Sequence, residues 1–565
     1  MPVRATVATA ADLVLLDGRV LTMAAGGVAA GGVAAGTSAA GPAAAAIAVR
    51  AGRIVAVGRS DEVRPFIGPR TRVIQAAGRT VLPGFQDAHA HPVMEGIALQ
   101  RCPLNEVEAR PAAYLEAIAA YAATHPERAW IDGEGWYMAA FPGGTPRRED
   151  LDRAVPDRPA FFTNRDGHGG WANSRALAVA GIDRGTADPP DGRIERDPDG
   201  RPTGALHEGA MHLVERLIPP PTADELLTGL GRAQAILHAW GITAWQDAIV
   251  EPPELAAYRT FAERGRLTGR AVACQWWDRE RGLEQVEEMI EARRISAVGR
   301  LRAGSVKIMQ DGVIEDFTAA LLEPYLDAAG RPTANRGLSF VEPGALTAAV
   351  TRLDGEGFQV HVHAIGDRAV REALDAIEAA RTANGATDGR HHIAHLQLVH
   401  PADVPRFAAL GVTANIQPLW ASRDDQMVEL TLPFLGPRRA RYLYPFESLR
   451  SAGATLAGGS DWNVSTANVL EEVEVAVTRR GRGLADEGTL GPGEALTLHD
   501  ALAAFTRGSA FVNHLDRETG TIDVGKLADL VVLDRDIEVA PDRVGDGRVL
   551  LTLVEGEAVF DAGAL

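Results

Sequence analysis

Residues 80–91 read TVLPGFQDAHAH, an apolar run that ends in two histidines two positions apart. Side chains at i and i+2 on a strand point to the same side, so His89 and His91 should converge at the strand's end. Similar β-like runs follow at GITAWQDA (241–248), GRAVACQWWD (269–278), AGSVKIMQDG (303–312), GFQVHVHAIGD (357–367), HHIAHLQL (391–398), GVTANIQP (411–418) and GATLAGGSDW (453–462). Helical patterns such as PELAAYRTFAER (253–264) and DRAVREALDAIEAAR (367–381) fill several of the gaps. Eight strands alternating with helices predict the α/β fold class and, within it, a (β/α)₈ barrel over residues 80–517. The interval from Gly96 to about Ala223 is too long for one connection, which predicts a subdomain inserted over about 96–223, above the first strand.

The two ends of the chain read differently from the middle. DLVLLDGRVLTM (12–23), AAIAVRAGRIVAVG (45–58) and TRVIQAAGRTVLPG (71–84) alternate and are punctuated by glycine, as hairpins are, and so do ETGTIDVGKLADLVVLDRD (518–536) and RVLLTLVEGEAVF (548–560). Neither end carries enough apolar surface for a core of its own. Residues 1–79 and 518–565 are therefore expected to pair into one small β-sandwich. The Ala/Gly run over about 24–46 contains Pro42 and almost no large side chain, so it reads as a flexible loop and not as a membrane span.

Composition narrows the function. The 565 residues carry a formal charge of −18, which disfavours nucleic acid and anionic membranes as partners and leaves a small-molecule substrate as the expectation. A homodimer is the candidate assembly. Cys102 and Cys274 are the only cysteines and lie outside any CxxC pattern, so neither a disulfide framework nor a thiolate zinc site is expected. The N-terminus lacks a basic segment followed by an unbroken apolar stretch, and a cytoplasmic location is the expectation.

The chemistry concentrates where barrel strands end. His363 closes the fifth predicted strand, His395 lies in the sixth and Asp461 ends the eighth, and barrel active sites form at strand C-termini. Lys307 sits in the otherwise apolar VKIM of the fourth strand, where a charged ammonium facing inward is costly. A neutral amine there can capture carbon dioxide as a carbamate whose two oxygens can bridge two metals. The bland alternative is a lysine that turns toward the helices and snorkels. Trp245, Trp276, Trp277, Trp420 and Trp462 fall at or just after strand ends, and are candidates to wall a pocket for an apolar or aromatic substrate. His361 reads as a residue deeper in the barrel, and His392 has the opposite strand parity to His395.

PGFQDAHAHP, VKIMQDGVIEDFTAAL, VHVHAIGDRAV, IAHLQ, GGSDW and GTIDVGKLADLVVLD together resemble the amidohydrolase superfamily, and in particular its amidohydrolase family 3, which includes N-substituted formamide deformylases and YtcJ-like proteins. The resemblance runs through nearly the whole chain with the motifs in order. It implies a barrel with a composite β-sandwich, metal on His89, His91, His363 and His395, Lys307 as a bridging carbamate, and Asp461 as metal ligand and proton acceptor. Two divalent ions are implied, zinc first, with manganese or iron as alternatives. Metal-activated water would then cleave a carbon–nitrogen bond other than a peptide bond. TNRDGHGGWANSRAL (163–177) resembles the family's HxxWxNSxAL stretch, so His168 and Trp171 join the substrate-binding candidates.

Two other readings compete. A mononuclear deaminase of the same superfamily usually places a Glu three residues after the fifth-strand histidine; Gly366 stands there, and Asp367 reads as a helix N-cap. A non-catalytic scaffold would keep the barrel and lose ligands, yet no candidate ligand is missing.

Overall fold

The computed structural model describes residues 10–24, 44–483 and 488–565. The Ala/Gly loop expected over about 24–46 lies outside the described residues from 25 to 43.

Eight parallel strands in sequence order form one sheet: β1 Phe85–Ala90, β2 Ile242–Val250, β3 Arg270–Trp276, β4 Leu301–Met309, β5 Gln359–Ala364, β6 His392–His395, β7 Thr413–Ile416 and β8 Leu456–Gly458. Each coincides with one of the runs read from the sequence, and the sheet curls into a (β/α)₈ barrel. Its ends meet through the backbone beyond β8. The Asp461 amide donates to the His89 carbonyl at 2.8 Å and the His91 amide to that of Trp462 at 2.5 Å. Gly459 permits this seam, because a Cβ there would stand 2.6 Å from the His89 Cβ.

The run 80–91, expected as one barrel strand, divides at Gly84. Thr80–Pro83 pairs antiparallel with Leu530–Leu533 of the C-terminal segment, and Phe85 begins β1. A Cβ at Gly84 would meet the Thr243 side chain at 2.4 Å, so the chain passes from one sheet to the other where only glycine fits. The terminal segments share a core in which Leu13, Ile47, Ile54 and Val81 from one end pack with Ile522, Leu530 and Leu551 from the other. Pooling the two ends removes apolar surface from water that neither could cover alone.

Between β1 and β2 a sheet of six strands runs from Cys102–Pro103 to Pro202–Glu208. It has apolar cores of its own, including one around Tyr114, Ile118, Trp136, Phe141 and Trp171. The chain returns to the barrel at the helix Ala223–Ala239. There the Thr222 hydroxyl accepts from the Glu225 amide, and Glu225 accepts from the Thr222 amide. Such reciprocal capping stabilises a helix start by about 1 kcal/mol.

Among the described residues no helix is long and apolar enough to cross a membrane. The barrel interior is unusually polar. Bulky aliphatic side chains normally fill it, yet here Cys274, Ser305, Lys307, His361, His392 and Asn415 are all buried within the strands.

Candidate metal centre

At the C-terminal mouth of the barrel, His89 Nε2 and His91 Nε2 each lie 3.2 Å from Asp461 Oδ1. His395 Nδ1 lies 3.8 Å from Asp461 Oδ2. Among the described residues, one atom from each of His89, His91 and Asp461 can be chosen so that all lie within 4.8 Å of one another. The His363 ring lies 4.4 Å from that of His395, tilted by 59°, and Lys307, 2% exposed, faces the same space. Six residues from five strands or strand ends that are far apart in sequence are thereby brought into one cavity.

Electrostatics set their protonation. Burial, with Lys307 adding to it, pushes the His89 imidazole down to about 3, and burial holds His363 and His395 well below the usual histidine range. These rings are neutral at pH 7, with lone pairs to give. Burial would raise the Asp461 carboxyl, but His89, His91 and His395 outweigh it and hold it well below the usual carboxylate range. Burial also lowers the Lys307 amine to about 8 against the pull of Asp461. Roughly a tenth of it is then neutral at pH 7, against under a thousandth for a free lysine.

Neutral imidazoles with a carboxylate form the nitrogen and oxygen donor set that zinc and related divalent ions take. His363 Nε2 lies 3.6 Å from Asp311 Oδ1, in the turn after the neighbouring strand β4, and the buried His91 Nδ1 has no hydrogen-bond partner among the described residues. Two imidazole nitrogens converging on one carboxylate oxygen, in a pocket of neutral rings, fit a cation at this place.

Supporting contacts fix the donors. His89 Nδ1 lies 2.9 Å from His361 Nε2, which fits the second nitrogen of a metal-binding imidazole held by a neighbour. His361 Nδ1 in turn lies 3.5 Å from Cys274 Sγ. His392, set apart from His395 by strand parity, is a packed imidazole: its ring lies 4.0 Å from that of His361, inside the barrel. His395 itself has φ +78° and Leu396 φ +51°, so regular alternation ends at the strand's last residue.

Sequence reasoning passed over two buried carboxylates. Asp87 accepts from the His89 and Ser460 amides and from the Ser460 hydroxyl at 2.5 Å, which ties β1 to the loop that carries Asp461. It shares the parity of His89 and His91, a signal that was available in DAHAH. Asp311 accepts from the amides of Ala320, Ile365 and Gly366 and so fixes the turn after His363. A Cβ at Gly366 would stand 2.0 Å from the Ala320 carbonyl oxygen, so no carboxylate can occupy the position where deaminases carry their acid. Asp367 is the first residue of its helix and accepts from the Leu322 amide; the N-cap is Gly366.

The site opens into a cavity of about 830 Å³. His168 lines it from the insertion, its ring 5.7 Å from that of His363 and its Nδ1 3.0 Å from Glu208 Oε2. Burial opposes charge on His168, but Glu208, Asp166 and Asp316 outweigh it and raise the imidazole to about 10, so it is a cation at pH 7. Nothing in the sequence pointed to Glu208, which the fold of the insertion delivers.

Of the tryptophans, Trp276 lines the cavity and the others do not. Trp171 donates to the Arg147 carbonyl within the insertion's core, and Trp245 donates to the Tyr258 hydroxyl behind the strands. Trp277 must face away from the barrel interior if its neighbour Trp276 faces in, and it is buried in the main apolar core, as is Trp462. Trp420 packs half-buried against that core. The expected aromatic wall thus reduces to Trp276, joined by Phe340 and by aliphatic side chains such as Leu255 and Met309 among charged residues.

With this geometry the chain joins a recognised class: residues 72–560 match the Amidohydrolase family, to which the chain belongs. It is 31% identical to Protein LONG AFTER FAR-RED 3 of Arabidopsis thaliana, over 91% of this chain and 88% of that one. It is 28% identical to the N-substituted formamide deformylase of Arthrobacter pascens, over 90% and 94% of the two chains. Among solved structures, an uncharacterized metal-dependent hydrolase from Pyrococcus furiosus superimposes with a TM-score of 0.68 at 25% identity, covering 94% of this chain and all of the other.

Proposed function

We propose that the protein is a metal-dependent hydrolase that cleaves a non-peptide carbon–nitrogen bond, in an amide, formamide, carbamate or cyclic amide, of a small molecule. The observation that carries this reading is the convergence of His89, His91 and His395 on ionised Asp461 in one cavity, with neutral His363 beside His395. The relative named as a formamide deformylase supports the bond type.

In this reading His89, His91, His363, His395 and Asp461 would hold two divalent ions, zinc first. Lys307 would complete the donor set as a carbamate, formed when its neutral amine adds to carbon dioxide with a new C–N bond and loss of one proton. Bound ions supply Lewis acidity, which makes water a nucleophile near neutral pH and polarises a carbonyl.

The chain's own groups do the rest. Asp461, ionised at neutral pH, takes the proton of the attacking water at Oδ2, the oxygen turned away from His89 and His91, and passes it to the departing nitrogen. That delivery matters because an amine anion is a poor leaving group. His168, kept cationic by Glu208, donates from Nε2 to the substrate oxygen as negative charge develops there. Asp87 and Ser460 hold the His89 and Asp461 backbones in register.

The deciding experiment is a panel of amides, formamides, carbamates, lactams and aminated heterocycles offered to protein of measured metal content. Hydrolysis within the first four groups supports the reading. Exclusive deamination with one metal per chain would replace it with the deaminase, and a protein that turns over nothing yet binds a protein partner tightly would replace it with a scaffold.

A further inference from the structure

Outside the histidine cluster, the same cavity carries a second polar group whose composition is unusual. Glu134 comes from the insertion strand Ile131–Trp136, Glu95 from the helix Pro92–Ala98 that follows His91, and Asn463 from the loop two residues after Asp461. Glu134 and Asn463 line the cavity together with His89 and Asp461. Two peptide steps span at most about 7 Å between Cα atoms, so Asn463 is held next to the proposed reacting centre.

Asn463 Nδ2 donates to Glu134 Oε1, and the Asn463 side chain also stands close enough to Glu95, behind the lining, to favour its ionised form. The Asn463 Oδ1 is buried with no hydrogen-bond partner among the described residues, in a residue 7% exposed. Neither glutamate has a cationic partner: burial and the other's charge push Glu134 up to about 8, and burial pushes Glu95 up to about 7, with only Asn463 opposing. Arg165, which lines the same cavity, spends its Nε on the Val464 carbonyl. Two glutamates and the Asn463 carbonyl thus come together from three separate elements with no cation beside them; protonation keeps the carboxyls uncharged in its absence, and a bound cation would draw them into the ionised, accepting form.

We propose that Glu134, Glu95 and the Asn463 carbonyl receive a protonated primary amine of the substrate, so that the enzyme acts on amide-type compounds carrying an alkylammonium group a few bonds from the cleaved bond. An –NH₃⁺ group offers three donors, matching the three acceptors. A calcium ion would ask for six to eight oxygens and magnesium for six in a strict octahedron, more than this wall presents. The proposal rests on the hydrolase reading for the cleaved bond, and on the wall alone for the charge.

The test compares benzylammonium chloride with benzyl alcohol, a neutral compound of similar shape, by calorimetry on the zinc-loaded full-length chain. Wild type is expected to bind the ammonium at least about ten-fold more tightly, the scale of a charge-assisted hydrogen bond. Glu134→Gln should abolish that preference while preserving shape, and Glu95→Gln gives a second reading should Glu134→Gln not fold. Equal binding of the two probes, a preference that survives in the glutamine variants, or displacement of benzylammonium by calcium would each overturn the proposal. Hydrolysis of neutral formamides is followed in parallel. Turnover without ammonium preference sinks the ammonium wall alone, and ammonium preference without any turnover sinks the hydrolase reading alone.

Discussion

Asp461 is joined to His89 twice: its backbone amide donates to the His89 carbonyl at 2.8 Å, and its Oδ1 lies 3.2 Å from His89 Nε2. The bond that closes the barrel is thus also the one that sets a carboxylate against an imidazole. A change to either side chain should therefore disturb ligation before it disturbs the fold, since the backbone seam is independent of the side chains.

His89→Ala, His91→Ala, His363→Ala and His395→Ala are each expected to reduce bound metal and turnover together, because each removes a nitrogen donor. Metal analysis by mass spectrometry after desalting checks this. Full occupancy with normal turnover in any one variant would remove that residue from the site.

Asp461→Asn keeps an oxygen donor of similar shape and loses the base. Metal should largely remain while kcat falls by at least about 10²-fold, the lower range for loss of a positioned acid or base. The acidic limb of the pH profile should change with it. Near-normal kcat with an unaltered profile would take the proton-shuttle role away from Asp461.

Lys307→Ala should lose the bridge between metals, and short carboxylic acids such as acetate should partly restore turnover by supplying two oxygens. A high-resolution map of zinc-loaded protein with a bare Lys307 amine turned away from His363 and Asp461 would rule the carbamate out.

The insertion is tied to the barrel by His207, whose Nδ1 lies 2.8 Å from Asp316 Oδ1 in the segment after β4. Burial opposes charge on His207, but Asp316 and Glu195 outweigh it and raise the imidazole to about 9. The folded value lies above the unfolded one, so this stabilisation is complete below about pH 6.5 and is lost as pH rises through about 9. Thermal melting followed across that window should show a decline in wild type that is smaller in His207→Gln. Coincident pH dependence in the two proteins would remove the pair from the stability of the docked insertion.

The sequence alone was enough for the barrel, because eight apolar runs separated by helical patterns leave few other ways to bury both faces of a parallel sheet. It was also enough to gather His89, His91, Lys307, His363, His395 and Asp461 as candidates, since each lies at or near the end of a strand and strand ends share one mouth. Period-two parity, followed one step further along DAHAH, would have found Asp87 as well. What only the tertiary structure decided depends on contacts between distant segments or on breaks in regular backbone. The positive φ of His395 took that ring out of the strand's regular alternation, and Gly84 passed one apolar run from a barrel to a sandwich. Five of the six tryptophans at strand ends or in the insertion's motif were drawn into packing, because an indole buries more apolar surface against a core than beside a wet mouth. Glu208, Glu134 and Asn463 reach the cavity through the placement of the insertion and the loop after β8. Local periodicity carries no information about such placement, which is fixed by packing between segments hundreds of residues apart.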